Sequence, residues 1–174
     1  MIGRRVLLIA LLLCSAGVIQ TTVLTRIPFP RATPDLVLLV VIGVALVLGP
    51  GGGAVTGFFG GLLLDVLPPV DSAVGRWALV LCVVGFLAGR ASDAVEGSAM
   101  LPLLVVAGCS ALAILGYAAV GIVIGDGQVP LRDLLATVPA AVIYDVLLAA
   151  FIVPIVMALT RRFVPTNTYA KAHR

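Results

Sequence analysis

Two aspartates stand in this sequence where a charge is costly. Asp65 lies near the end of the apolar run "GFFGGLLLDVL" (57–67), and Asp145 lies in the middle of "TVPAAVIYDVLLAAFIVPIVMALT" (137–160). A central Asp in a membrane helix costs about 2.5–3.5 kcal/mol on insertion scales, so each carboxyl needs a justification. The candidates are a proton or cation path, a ligand site, a catalytic pair, or a contact with another protein. No Lys or Arg lies mid-span to pair with Asp145, which favours a neutral carboxyl hydrogen-bonded to a neighbouring helix. Tyr144 precedes it but faces about 100° away on a helix, so the two need not be partners. If Asp65 and Asp145 share a site they bind a cation or move a proton. The favoured alternative is a polar lock between helices. Gln20, deep in the first apolar run, is a third polar group in need of a partner, and structural hydrogen bonding is again favoured.

Other chemistries lack their residues. There is no HExxH, and the only histidine is His173. Ser15, Ser72, Ser92, Ser98 and Ser110 have no histidine or mid-span lysine as base. "GPGGGAVTG" has G-x-G spacing without a preceding strand or a Lys-Ser/Thr ending. An aspartyl pair on two spans lacks a glycine-flanked catalytic dipeptide. Cys14, Cys82 and Cys109 sit in separate apolar runs, as inert buried thiols do. The reading is therefore no catalytic residue, no metal site and no cofactor: not an enzyme.

The elements that must position these groups are membrane helices. Of 174 residues, 61% are hydrophobic and 11% charged, and the mean hydropathy is +1.24. That excludes an ordinary soluble domain. The net charge of +3 comes from basic residues scattered at the ends of apolar runs, so it marks orientation and not a nucleic-acid patch. The chain reads as one transmembrane domain over 1–165 with spans at about 6–25, 35–48, 54–67, 76–90, 100–124 and 134–160, and a cytoplasmic tail at 166–174. The first run is a retained helix and not a cleaved signal, because it continues to Leu24.

Thr33 reads as the N-cap of the second span, with Pro34 in its first turn and Asp35 near the positive end of its dipole. Spans two and three, separated by "GPGGG", are each too short for a bilayer of about 30 Å. They are either short helices shielded by neighbours or a re-entrant hairpin. Arg76 and Arg90 bracket span four and are expected to snorkel outward. Pro139 and Pro154 are expected to bend span six. With the N-terminus inside, Arg4, Arg5, Arg90, Arg161, Arg162, Lys171 and Arg174 fall in the cytoplasm, and Arg26, Arg31, Arg76 and Arg132 outside. This bias supports N-in and C-in.

Gly53, Gly57 and Gly61 recur every four residues and Asp65 continues the series, so Asp65 points where the glycines point, into protein. "GFLAG" (85–89) and "GIVIG" (121–125) repeat the device. Packing within the chain is the favoured reading for each, ahead of packing against a partner's membrane helix.

In order, "IQTTVL", a proline-bearing loop, "PDLVLLVV", a glycine-rich turn, "GFFGGLLLDVL" and a glycine before span four resemble the MreD family. MreD is the small membrane subunit of the bacterial rod-shape and cell-wall elongation machinery. The specific part is residues 20–75, and the last two spans match in length and hydrophobicity only. The resemblance implies an all-α, six-helix transmembrane bundle like the substrate-binding S component of energy-coupling-factor vitamin transporters, in the bacterial inner membrane. It implies no catalysis and a partnership with MreC. Beyond MreC it implies the peptidoglycan polymerase, its penicillin-binding transpeptidase and, indirectly, MreB. The family pattern falls on Gln20, Pro34, Asp35, Gly61, Asp65 and Gly75, as helix-start, packing and polar-contact positions. Asp145 lies outside it. Two rivals stay open: a vitamin-transporter S component, which wants a polar and aromatic pocket, and a proton or cation path through Asp65 and Asp145.

Overall fold

A computed structural model describes residues 2–26, 32–67, 75–95, 98, 100–125 and 131–163. Among these residues the chain is all-helical. It comprises α1 (Ile2–Thr22), a 3-10 turn (Leu24–Arg26), α2 (Leu36–Val66), α3 (Arg76–Arg90), α4 (Ser92–Val95), α5 (Leu101–Ile124) and α6 (Leu131–Phe163). Four helices, α1, α2, α5 and α6, are long and apolar enough to cross a membrane. Residues 27–31 of the proline-bearing loop and the 166–174 tail lie outside the described residues.

α2 is not a straight rod. Gly49 leaves helical geometry with φ 77° and ψ −174°, and Pro50 follows it. Proline disfavours helical backbone in the residue before it, and glycine alone takes the positive φ freely, so the pair forces a reversal. The two halves, 36–48 and 50–66, then lie against each other. A Cβ placed on Gly53 would be 2.7 Å from that of Ala45, and one on Gly60 would be 3.0 Å from a Val41 methyl. In a continuous helix Val41 and Gly60 would stand about 28 Å apart. Spans two and three are thus two short helices folded back on each other at Gly49. The linker is shorter than the five residues of "GPGGG", because Gly51, Gly52 and Gly53 are already helical.

The first half of α2 is the centre of the bundle. Every residue from Leu36 to Leu46 is buried, and Val37, Leu39, Val41, Ile42, Val44 and Ala45 are wholly inaccessible. A helix apolar on all sides must be surrounded on all sides. This shielding makes a helix of about 20 Å tolerable in a bilayer of about 30 Å.

The second half of α2 packs antiparallel on α3 through backbone. Gly49, Gly53, Gly57 and Gly61 meet Gly89, Gly85, Leu81 and Trp77 in turn; a Cβ on Gly53, Gly57 or Gly61 would overlap main-chain atoms of α3, and one on Gly89 would overlap those of Gly49. Glycines at this spacing let two helix axes approach until the main chains touch. α5 runs antiparallel to α3, with Val80 beside Gly116 and Arg76 beside Gly121. α6 runs parallel to the first half of α2, so that Asp145 meets Asp35 while Val153 and Val156 meet Gly43. α1 runs parallel to the second half, with Leu13 at Gly60 and Gly17 at Leu63 and Leu67. These pairings put the start of α1, the Gly49 turn, Arg90 and the end of α6 at one end of the bundle. Asp65, Gly75 and Arg76 stand at the other.

Two local expectations are corrected. The N-cap of α2 is Asp35, whose carboxylate accepts from Leu38 N, so the helix starts two residues later than Thr33 capping requires, and Pro34 precedes the cap. Asp is the stronger cap, and it has the partners described below. Arg76 does not snorkel outward: it is 4% exposed, while Arg90 is exposed.

Candidate functional site

Helix starts carry the polar chemistry of this bundle. The first amides of a helix have no intrahelical acceptor, and in an apolar surround each unpaired one is expensive. α3 begins after Gly75, which holds φ 98° and supplies no side-chain cap. The cap comes from another helix. Asp65 Oδ2 accepts from Gly75 N at 2.9 Å and from Ala78 N at 3.1 Å, and its Oδ1 accepts from Trp77 N at 3.1 Å. The carboxylate is 3% exposed. Its charge sits against the positive end of the α3 dipole, so three donors and a favourable field replace the water it lost.

Beside this cap lies an aromatic and cationic stack. Arg76 Nε and one Nη donate to the Tyr117 carbonyl at 2.9 and 2.7 Å. The guanidinium carbon is 3.6 Å from the Tyr117 ring centroid, and Trp77 stacks on the same ring at 4.4 Å. A buried cation over an aromatic face is stabilised by about 2 kcal/mol. Gly121 makes the room, since a Cβ there would occupy the place of the guanidinium.

The start of α2 is built differently. Gln20 Oε1 accepts from Val37 N at 3.1 Å. Asp35 Oδ1 accepts from Leu38 N at 3.0 Å. Asp145, from α6, accepts from Asp35 N at 2.8 Å through Oδ1 and from the Ser110 hydroxyl of α5 through Oδ2. Three helices therefore converge on the start of a fourth. Beside them is a cavity of about 280 Å³, whose lining combines Gln20, Asp35, Ser110 and Asp145 with apolar residues such as Leu38 and Ile114.

The sequence-derived residues thus form two groups. Gly53, Gly57, Gly61, Asp65 and Gly75 lie along the α2–α3 contact, and Gln20, Pro34, Asp35 and Asp145 lie around the start of α2. Asp65 and Asp145 do not share a site. Trp77 borders both, giving its backbone N–H to Asp65 and lining the cavity beside Asp145. Sequence reasoning missed Ser110, Arg76, Trp77 and Tyr117. Ser110 carried a signal, as a hydroxyl in the middle of span five. The stack carried one too, because few aromatics are available and one lies four residues before Gly121. No group of three or more His, Cys, Asp or Glu among the described residues is arranged for a metal ion.

The sequence profile of the family described as rod shape-determining protein MreD matches residues 1–163. The chain belongs to the MreD family. Membership makes it a membrane protein of rod-shape determination, in a family that is structural and is not known for enzymatic activity. Comparison with curated proteins and with solved structures gives no match.

Proposed function

We propose that this MreD-family chain is a non-enzymatic scaffold of the bacterial inner membrane that binds MreC and supports the peptidoglycan elongation machinery. The observation that carries the proposal is where the acidic groups go. Asp65 and Asp145, the groups the sequence offers for chemistry, accept hydrogen bonds from backbone N–H groups at helix starts, as Asp35 does. They hold the bundle in one shape, and a scaffold needs a fixed shape. Through MreC the chain joins the polymerase, the penicillin-binding transpeptidase and, indirectly, MreB. The shared end of α1 and α6, rich in arginine, faces the cytoplasm under the positive-inside bias. The glycine stripes are turned inward onto α3, so partner contact falls to bulkier exposed faces such as Phe58 and Phe59.

Co-purification with MreC in mild detergent tests the partnership, and depletion tests the role. Stable co-elution together with rounding or swelling of depleted cells is the expected result. A chain that never co-elutes, in cells that keep their shape but acquire a nutrient requirement, refutes it.

One observation favours a second reading, the solute-binding one: the cavity beside Asp145 sets several polar groups and Trp77 into an otherwise apolar lining. Its volume of about 280 Å³ lies just under the roughly 300–1,000 Å³ usual for ligand pockets, which ranks this reading behind the scaffold. A small compound retained through purification and released by filling the cavity would reverse the ranking.

A further inference from the structure

At the opposite end of the bundle from Asp65 lies a larger feature that the scaffold role does not use. A groove of about 870 Å³ runs between the lower part of α6 and the segment entering α5. Its α6 wall includes Ala150, Pro154, Ala158 and Arg161, and the facing wall includes Ser98 and Pro102. Positions 150, 154 and 158 recur every four residues, so small or ring-shaped side chains leave one face of α6 hollow. Pro154 cannot donate to the carbonyl of Ala150, and both residues border the groove.

We propose that this groove holds one acyl chain of an anionic phospholipid, with the headgroup phosphate on Arg161. Three observations select this occupant. Among the described residues, the side chains lining the groove are apolar except Ser98 and the exposed Arg161. The stripe from Ala149 to Arg161 is about 18 Å long at the rise of an α-helix, close to one leaflet of about 15 Å. Arg161 ends the apolar run of α6, so its guanidinium stands at headgroup depth, where basic pockets between membrane helices collect anionic headgroups. A guanidinium matches a phosphate in charge and in its paired donors. This inference is independent of the proposed partnership with MreC.

Native mass spectrometry of the detergent-purified full chain tests it, with dioleoyl phosphatidylglycerol and dioleoyl phosphatidylcholine added in equal amounts. The expected result is an approximately fivefold preference for phosphatidylglycerol, the effect of about one basic residue near the membrane surface. Arg161→Gln should bring the ratio to about one. Arg162→Gln, which removes an equal charge from a residue outside the groove, should leave the ratio unchanged. Ala158→Leu should reduce retention of both lipids by filling the groove. The proposal is overturned if the two lipids bind the unaltered chain equally, or if Arg162→Gln lowers the ratio as much as Arg161→Gln. It is also overturned if glycerol phosphate displaces the lipid, since the site would then read a headgroup alone. Crosslinking of Ala158→Cys to a polypeptide in cells, with lipid retention unaffected by Ala158→Leu, would assign the groove to a partner helix instead.

Discussion

At the start of α3 a carboxylate from a neighbouring helix takes three backbone N–H groups and is sealed in. At the start of α2 another takes one backbone N–H and one hydroxyl, and it borders a cavity. Both aspartates sit at positive helix ends, so neither needs a lysine or arginine to be tolerated in an apolar surround. The surroundings differ in how much freedom they leave. Asp65 faces amide donors that cannot turn, and its helix is locked on α3 through glycine backbone. Asp145 faces a hydroxyl that can rotate, and open space lies beside it. The lesson is that the residue type does not set the role in this bundle. What the donors can do when the acid changes sets it.

The harshest way to break the comparison is to attack the contact that locks the first region. Gly57 lies against the Leu81 carbonyl so closely that any side chain overlaps backbone, and backbone cannot move aside as a flexible side chain can. Gly57→Val should therefore cost more than about 4 kcal/mol and prevent accumulation of folded protein. Fluorescence-detected gel filtration and thermal melting in detergent would measure it. A monodisperse variant melting within a few degrees of the parent would show that α2 and α3 can separate without loss, and the distinction between a rigid and an adaptable region would fail.

Much of that rigid region is readable from the sequence. The every-fourth-residue glycines demand a close helix contact, and "GPGGG" demands a break, because helix physics is local and those residues act locally. The partners are not readable. Nothing within a few residues of Gly57 names Leu81, and nothing near Val37 to Leu46 names the helices that enclose them. Asp35 rather than Thr33 caps α2 because Gln20 and Asp145 converge there from α1 and α6, which local propensity cannot report. Arg76 reads as a snorkelling end-residue by its position alone. It turns inward because Tyr117 and Gly121, some forty residues later, give it a ring and a space.

The comparison sharpens when each aspartate is replaced by asparagine, which keeps shape and removes an acceptor. At position 65 both oxygens accept from fixed amides, so Asp65→Asn must set an NH₂ group against a backbone N–H whichever way it turns. Leaving a buried donor unsatisfied and losing a charge at a helix start should together destabilise the protein by about 3 kcal/mol. The measurement is the shift in melting temperature relative to the parent. A loss below about 1 kcal/mol would show that water reaches this cap and that the carboxylate is not the anchor of α3.

Asp145→Asn should have the smallest effect. The side-chain oxygen can keep the hydrogen bond from Asp35 N, and the new NH₂ can donate to Ser110 once the hydroxyl turns to accept. The expected loss is about 1 kcal/mol or less, with cell shape rescued as well as by the parent chain. This is the variant that separates a fastener from a proton carrier. An amide holds helices together as a protonated acid does, but it cannot take up and release a proton at any physiological pH. Loss of rescue, with folding and MreC binding intact, would mean that proton exchange at this position matters. The cavity beside Asp145 would then become the functional centre of the molecule, and the rigid α2–α3 pair its support.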